Sequence, residues 1–187
     1  MGIVEDGLEA AEQAATTRPI PKSAPAQMRA LVRAEKGSTR RAAQRLGISQ
    51  RTVERYIKGQ IRTPRSQLAE RLASEVRRSW QPRVRARARR RAVTTTGITV
   101  ETRARFGFTA APGSTDDPRL RRITQTLPPA YAARLFDARQ AGATERQLQA
   151  IVAQGLGEQY FRDGGRRADG LEVELQDVDY LDLAFRS

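Results

Sequence analysis

Apolar residues recur at helical spacing through residues 23–80. In residues 39–58, TRRAAQRLGISQRTVERYIK, the apolar or small positions are Ala42, Ala43, Leu46, Ile48, Val53 and Tyr56, and arginines fill most positions between them. That pattern predicts a helix, a three-residue turn and a second helix. Gly47 falls where the first helix must stop and a positive φ is favoured. Ser49 is placed to cap the second helix through its side-chain oxygen. Ala43 is small where two helices must cross. Met28, Leu31 and Val32 form the stripe of a preceding helix, opened by Ser23 and Pro25. Leu68, Leu72 and Val76 give the inward stripe of a fourth helix after Thr63 and Pro64. Trp80, the single tryptophan, is expected to close this bundle as a lid.

The period changes after residue 96. Ile98, Val100, Phe106 and Phe108 share one parity, and Thr99, Glu101, Arg103 and Arg105 share the other, which is strand periodicity. Thr102 and Ala104 weaken the inward stripe without breaking it. A loop rich in Pro, Gly, Ser and Asp follows over residues 109–118, then a second strand to Leu127. Pro128 and Pro129 open a helix holding Leu135 and Phe136, which Gly142 ends. Thr144 and Gln147 fit a capping box for the next helix, with Leu148, Ile151, Val152, Leu156 and Tyr160 apolar. Residues 171–185 close the chain as a strand. The expected fold is α+β: an N-terminal all-α helix-turn-helix domain followed by a small β-β-α-α-β domain. The expected boundaries are 1–22 for an acidic tail and linker, 23–80 for the helix-turn-helix, 81–96 for an arginine-rich arm and 97–187 for the α+β domain.

Composition narrows the chemistry. Cysteine and histidine are both absent. Disulfides, thiolate metal sites, Cys nucleophiles, His-ligated zinc and the Ser-His-Asp triad are excluded. No apolar run approaches membrane-spanning length, and the start of the chain (Glu5, Asp6, Glu9, Glu12) does not read as a signal peptide. A cytoplasmic protein with no membrane partner is expected, associated with the nucleoid if it binds DNA.

Charge sharpens the division. Net charge is +13; residues 1–96 carry 22 basic and 8 acidic side chains, residues 97–187 carry 12 and 13. A polycationic half joined to a near-neutral half suggests a nucleic-acid-binding module attached to something with another task. In a helix-turn-helix the second helix enters the major groove. Its candidate contacts are Ser49, Gln50, Arg51, Glu54, Arg55 and Lys58. Gln pairs with adenine, Arg with guanine, and Glu accepts from cytosine; Arg55 and Lys58 fall further along, toward phosphates. RVRARARRR (83–91) adds Arg83, Arg85, Arg87, Arg89, Arg90 and Arg91, with no apolar face to bury. Six neutralised phosphates would give a slope of log K on log salt of about −5.

The loop after Phe108 offers the hydroxyls Thr109, Ser114 and Thr115, and two carboxylates, Asp116 and Asp117. By pattern alone Ser114, Thr115, Asp116 and Asp117 read as a plain turn or a helix cap before Pro118. Tyr131, Tyr160 and Tyr180 are further hydroxyls, but all three lie on apolar stripes and are expected in the core.

With these residues in view, the chain resembles the telomere terminal proteins (Tpg family) of linear actinobacterial, streptomycete-type chromosomes and plasmids. The stretches that carry the resemblance are RPIPKSAPAQMR (18–29), AQRLGISQRTVERY (43–56), the WQPRV and ARAR run (80–89), TRARFGFTAAPG (102–113), YAARLF (131–136), GATERQLQ (142–149) and YFRDGGRRA with GLEVEL (160–175). The resemblance implies a protein primer rather than an enzyme: a DNA polymerase links the first nucleotide to a side-chain hydroxyl, and the protein stays on the DNA 5′ end. It places covalent DNA attachment at Ser114 or Thr115. It implies telomeric DNA, a DNA polymerase and a telomere-associated recruiting protein as partners. No cofactor of its own is implied; Mg2+ and dNTP come with the polymerase, with Asp116 and Asp117 placed to assist the metal. Two other classes remain: a helix-turn-helix transcriptional regulator with a C-terminal dimerisation or ligand domain, and a DNA-end enzyme using a Ser or Tyr nucleophile.

Overall fold

The computed structural model describes residues 2–109, 119–161 and 172–186. The chain is mixed α+β, and it divides into two compact units. One is continuous, Thr16–Val84. The other joins the segment up to Ala15 to the chain from Arg85 onward.

The continuous unit holds α2 (Ala24–Ala34), α3 (Thr39–Leu46), α4 (Gln50–Ile57) and α5 (Ser66–Ser79). Met28, Leu31, Ala42, Leu46, Val53 and Leu72 are fully or almost fully buried and form one core with Tyr56 and Val76. These are the positions the helical period assigned inward. Trp80 is half-buried against the same core, and its indole N–H donates to the Arg18 carbonyl at 2.9 Å. The lid is thereby pinned to the linker that precedes α2.

The second unit is built on a three-stranded antiparallel sheet, order β2-β1-β3, with β1 Ile98–Thr109, β2 Arg119–Leu127 and β3 Glu172–Phe185. Ile98, Val100, Thr102, Ala104 and Phe106 are all fully buried. Burying a threonine hydroxyl unpaired costs about 1–3 kcal/mol. Thr102 avoids this by donating to the Tyr180 carbonyl at 2.8 Å. The strands pack with α7 (Pro129–Gln140) and α8 (Glu145–Leu156), whose Leu135, Leu148, Val152 and Leu156 join the same cluster. Thr144 and Gln147 form the capping box that opens α8.

Two expectations are corrected. Residues 1–22 were expected to be an acidic tail and linker, but α1 (Ile3–Ala14) is a core helix. Val4 and Leu8 are fully buried in the sheet unit's cluster. Burying two such side chains is worth roughly 1.5–3 kcal/mol each, more than a solvated tail can recover. A Cβ at Gly7 would lie 3.2 Å from the Leu183 side chain, so α1 sits close upon β3. Glu145 of α8 accepts the Val4 N–H at 2.8 Å, a carboxylate at a helix N-terminus.

The tyrosines are the second correction. Only Tyr131 of the three is core: it is 6% exposed, and burial, then a hydrogen bond with Glu158, pushes its pKa up to about 12. Tyr160 is 45% exposed. Tyr180 is half-buried, and its hydroxyl donates to Glu101 at 3.2 Å, on the parity of β1 opposite to the core. Tyr180 pairs with the outward-facing Arg103 and has the opposite parity to Leu175, Leu181 and Leu183, which are buried on both sides of the bulge at Asp177 (φ 44). Glu101 is held below the usual carboxylate range, first by its hydrogen bond from Arg122 and then by Tyr180.

The junction into β1 turns on one residue. After α6 (Pro82–Arg91) the chain makes a π-helical turn over Ala92–Thr96 and then reaches Gly97 at φ 71, ψ −162. Its N–H donates to the Ala92 carbonyl at 2.9 Å. No helix among the described residues is long and apolar enough to cross a membrane.

Candidate nucleic-acid interface

Helix α3 starts where Ser38 accepts the Arg41 N–H at 3.2 Å. It stops at Gly47, φ 63, where the Gly47 and Ile48 N–H groups donate to the Gln44 and Ala43 carbonyls. This is the double hydrogen bond of a left-handed C-cap. Ser49 then opens α4 by accepting the Thr52 N–H at 3.2 Å. Both caps fall where the sequence placed them, so the angle between the helices is set by local chemistry.

The far end of α4 is also fixed. Arg29 of α2 donates to the Ile57 carbonyl at 3.1 Å, a cation on the negative end of the helix. Arg45 of α3 pairs with Glu35 at 2.7 Å and with Glu75 of α5. Ion pairs as exposed as these are worth little singly, but they commit Arg45 to the scaffold.

What remains outward on α4 is an open cleft of about 580 Å3 lined by Gln50, Arg51, Glu54, Arg55, Lys58 and Gln60. Arg51, Arg55 and Lys58 are exposed, and among the described residues they meet no acid within ion-pair distance. Gln50 is already engaged: its Nε2 donates to Thr39 Oγ1 and Glu54 Oε1, each at 3.0 Å. Gln50 and Glu54 must therefore release one another, or use their remaining acceptor atoms, to read a base. An α-helix is roughly 10–12 Å across with its side chains, which suits the width of the major groove. The surface can accept phosphates and guanine edges. Gln60 was missing from the sequence reading, because it follows Gly59 and looks like loop.

Ser49 is occupied as a cap. The arginine run, which with no apolar face reads equally as a solvated helix or as an arm, is the helix α6. It buries no residue, yet its cations are not equivalent. Arg85 reaches Glu12 of α1 at 2.6 Å and Arg89 reaches it at 3.8 Å, while Arg83, Arg87, Arg90 and Arg91 are exposed. Arg85 is thus withdrawn from the candidate contacts. Ser114, Thr115, Asp116 and Asp117 lie outside the described residues. Among the described residues no cluster of three or more acidic side chains is placed to hold a metal ion.

If Arg51 makes a bidentate base contact, Arg51→Ala should weaken binding to the preferred site by about 1–3 kcal/mol and relax sequence preference. Titration of the variant against a randomised duplex library measures both. An unchanged affinity and base profile would refute docking through α4.

Comparison with protein-family models, with curated proteins and with solved structures finds no match.

Proposed function

We propose that this chain is a DNA-binding terminal protein: α4 places it on DNA, and a hydroxyl outside the helix-turn-helix accepts the first nucleotide of a new strand. The observation that carries the DNA-binding part is the α4 face, where Arg51, Arg55 and Lys58 stand exposed around one cleft on a helix capped at both ends. The priming part is supported by the resemblance of the stretches at 102–113 and 160–175 to telomere terminal proteins.

In the proposed step the Ser114 or Thr115 hydroxyl oxygen attacks the α-phosphorus of a dNTP. The new O–P ester forms, the bond between α- and β-phosphates breaks, and pyrophosphate leaves. The hydroxyl proton passes to solvent or to a base of the polymerase. The polymerase supplies Mg2+ and the nucleotide, with Asp116 and Asp117 available to the metal. The protein is an acceptor, not an enzyme. It works with a DNA polymerase and a telomere-associated recruiting protein, at DNA ends in the nucleoid. Of the tyrosines, only Tyr160 presents a largely exposed ring, so it is the hydroxyl to test if the loop pair fails.

DNA prepared without protease should carry this protein through SDS, and nuclease should release it with a nucleotide on the loop peptide, as read by mass spectrometry. Changing Ser114 and Thr115 together to Ala should abolish the adduct while duplex binding persists. An adduct that survives the double change removes the assignment to this loop. DNA binding with no adduct at all would instead make the chain a helix-turn-helix regulator.

A further inference from the structure

Six arginines lie on α6, and the helix sorts them. At about 100° per residue, Arg85, Ala88, Arg89 and Ala92 share one side, and Arg83, Arg87, Arg90 and Arg91 share the opposite side. The first side is held. Ala92 is fully buried. Arg85 and Arg139 of α7 donate to Glu12 at 2.6 and 3.0 Å, Glu12 being 6% exposed. The Arg89 and Arg139 guanidiniums lie 5.7 and 5.1 Å from the Phe136 ring centre, within cation–π range. On the other side, Arg87, Arg90 and Arg91 belong to the sheet unit and are exposed, and among the described residues their guanidiniums meet no acid.

We infer that Arg87, Arg90 and Arg91 form a second polyanion-binding face, carried by the sheet unit, and that its occupant is the phosphodiester backbone of duplex DNA, read without regard to sequence. This rests on the DNA-binding reading above and deepens it. Three guanidiniums within five residues, on a helix that itself carries no acid, supply the charge to meet several phosphates. The acid that would neutralise them, Glu12, is spent on the inner arginines. Glu12 is the positioning residue: it fixes the roll of α6 and so decides which arginines point outward. The arm's share of the salt slope is then set by about three contacts, not six, or roughly −3.

The test is a salt titration of the full chain on a labelled duplex of random sequence. Replacing Arg87, Arg90 and Arg91 together by Gln should reduce the slope of log K on log salt by about 2–3. Melting temperature and sequence preference should not change, and the triple Lys variant should restore the slope. Replacing Arg85 and Arg89 by Gln should lower the melting temperature and move the slope by less than about one unit. A slope unmoved by the triple Gln change, or lowered equally by the inner pair, overturns the assignment. Failure of the Arg51→Ala test would remove docking through α4 while leaving this slope to be measured independently.

Discussion

Gly97→Ala should destabilise the sheet unit by about 3 kcal/mol or more. The backbone at φ 71, ψ −162 is a region that only glycine occupies cheaply, and other residues there cost roughly 1–3 kcal/mol. Space adds to the penalty. A Cβ at this position would stand 2.0 Å from the Leu127 carbonyl oxygen. That carbonyl belongs to β2 backbone in register with Ile98, so it cannot swing aside as a long side chain would. Relief requires moving the start of β1 and with it the first pair of the β1–β2 ladder. A loss of this size lowers the melting temperature by on the order of 10 °C. Calorimetry measures it, while Trp80 fluorescence, which reports the helical unit, should melt as before. Gly142→Ala is the control: φ is 78 there but no atom lies within 4 Å of the new methyl, so only the backbone cost of roughly 1 kcal/mol applies. Equal losses at the two glycines would refute the steric argument.

Glu12→Ala should cost about 3–5 kcal/mol. The carboxylate is buried and receives Arg85 and Arg139, with Arg89 nearby. Removing it leaves guanidiniums together without an anion, and the penalty is that of uncompensated buried charge rather than the worth of one ion pair. Glu12→Gln keeps the shape and one acceptor oxygen, so it should fall between the wild type and Ala. Denaturant unfolding gives the ranking. A loss below about 1 kcal/mol for Ala would mean that the three arginines relax into water at little cost.

Local signals were legible in the sequence and long-range ones were not. Gly47, Ser49, Thr144 and the β1 stripe were legible because each signal is local: a cap is decided within four residues and a strand parity within two. The same holds for the inward stripes of α2 and α5. The role of α1 was not legible. Its apolar positions look like those of any short acidic helix, and the surface that buries them is β3, at the other end of the chain. Glu12 therefore passed as one more solvated acid. The six arginines of α6 passed as equivalent because nothing in RVRARARRR distinguishes one side until Glu12 and Phe136 are brought to it. Tyr180 was misplaced because it adjoins Leu181 and so has the opposite parity to Leu175, Leu181 and Leu183; the bulge around Asp177 adds two residues and leaves that parity unchanged. On α4, Gln50, Arg51, Glu54, Arg55 and Lys58 line one cleft, whereas nothing in the sequence announces the hydrogen bond between Gln50 and Glu54.

Because α1 packs with β3 while Thr16–Val84 forms its own unit, the helical unit is an insertion within the sheet unit. That ordering bears on biosynthesis. The inserted unit is contiguous and made of short-range contacts, so it is free to fold while the rest is still being translated. The Val4 and Leu8 face of α1 is made early but has no sheet to cover it until β3 leaves the ribosome. A chain stalled before residue 172 would present folded helices with α4 already shaped, together with an uncovered apolar helix ahead of them, and is the nascent species on which a chaperone would be expected to act.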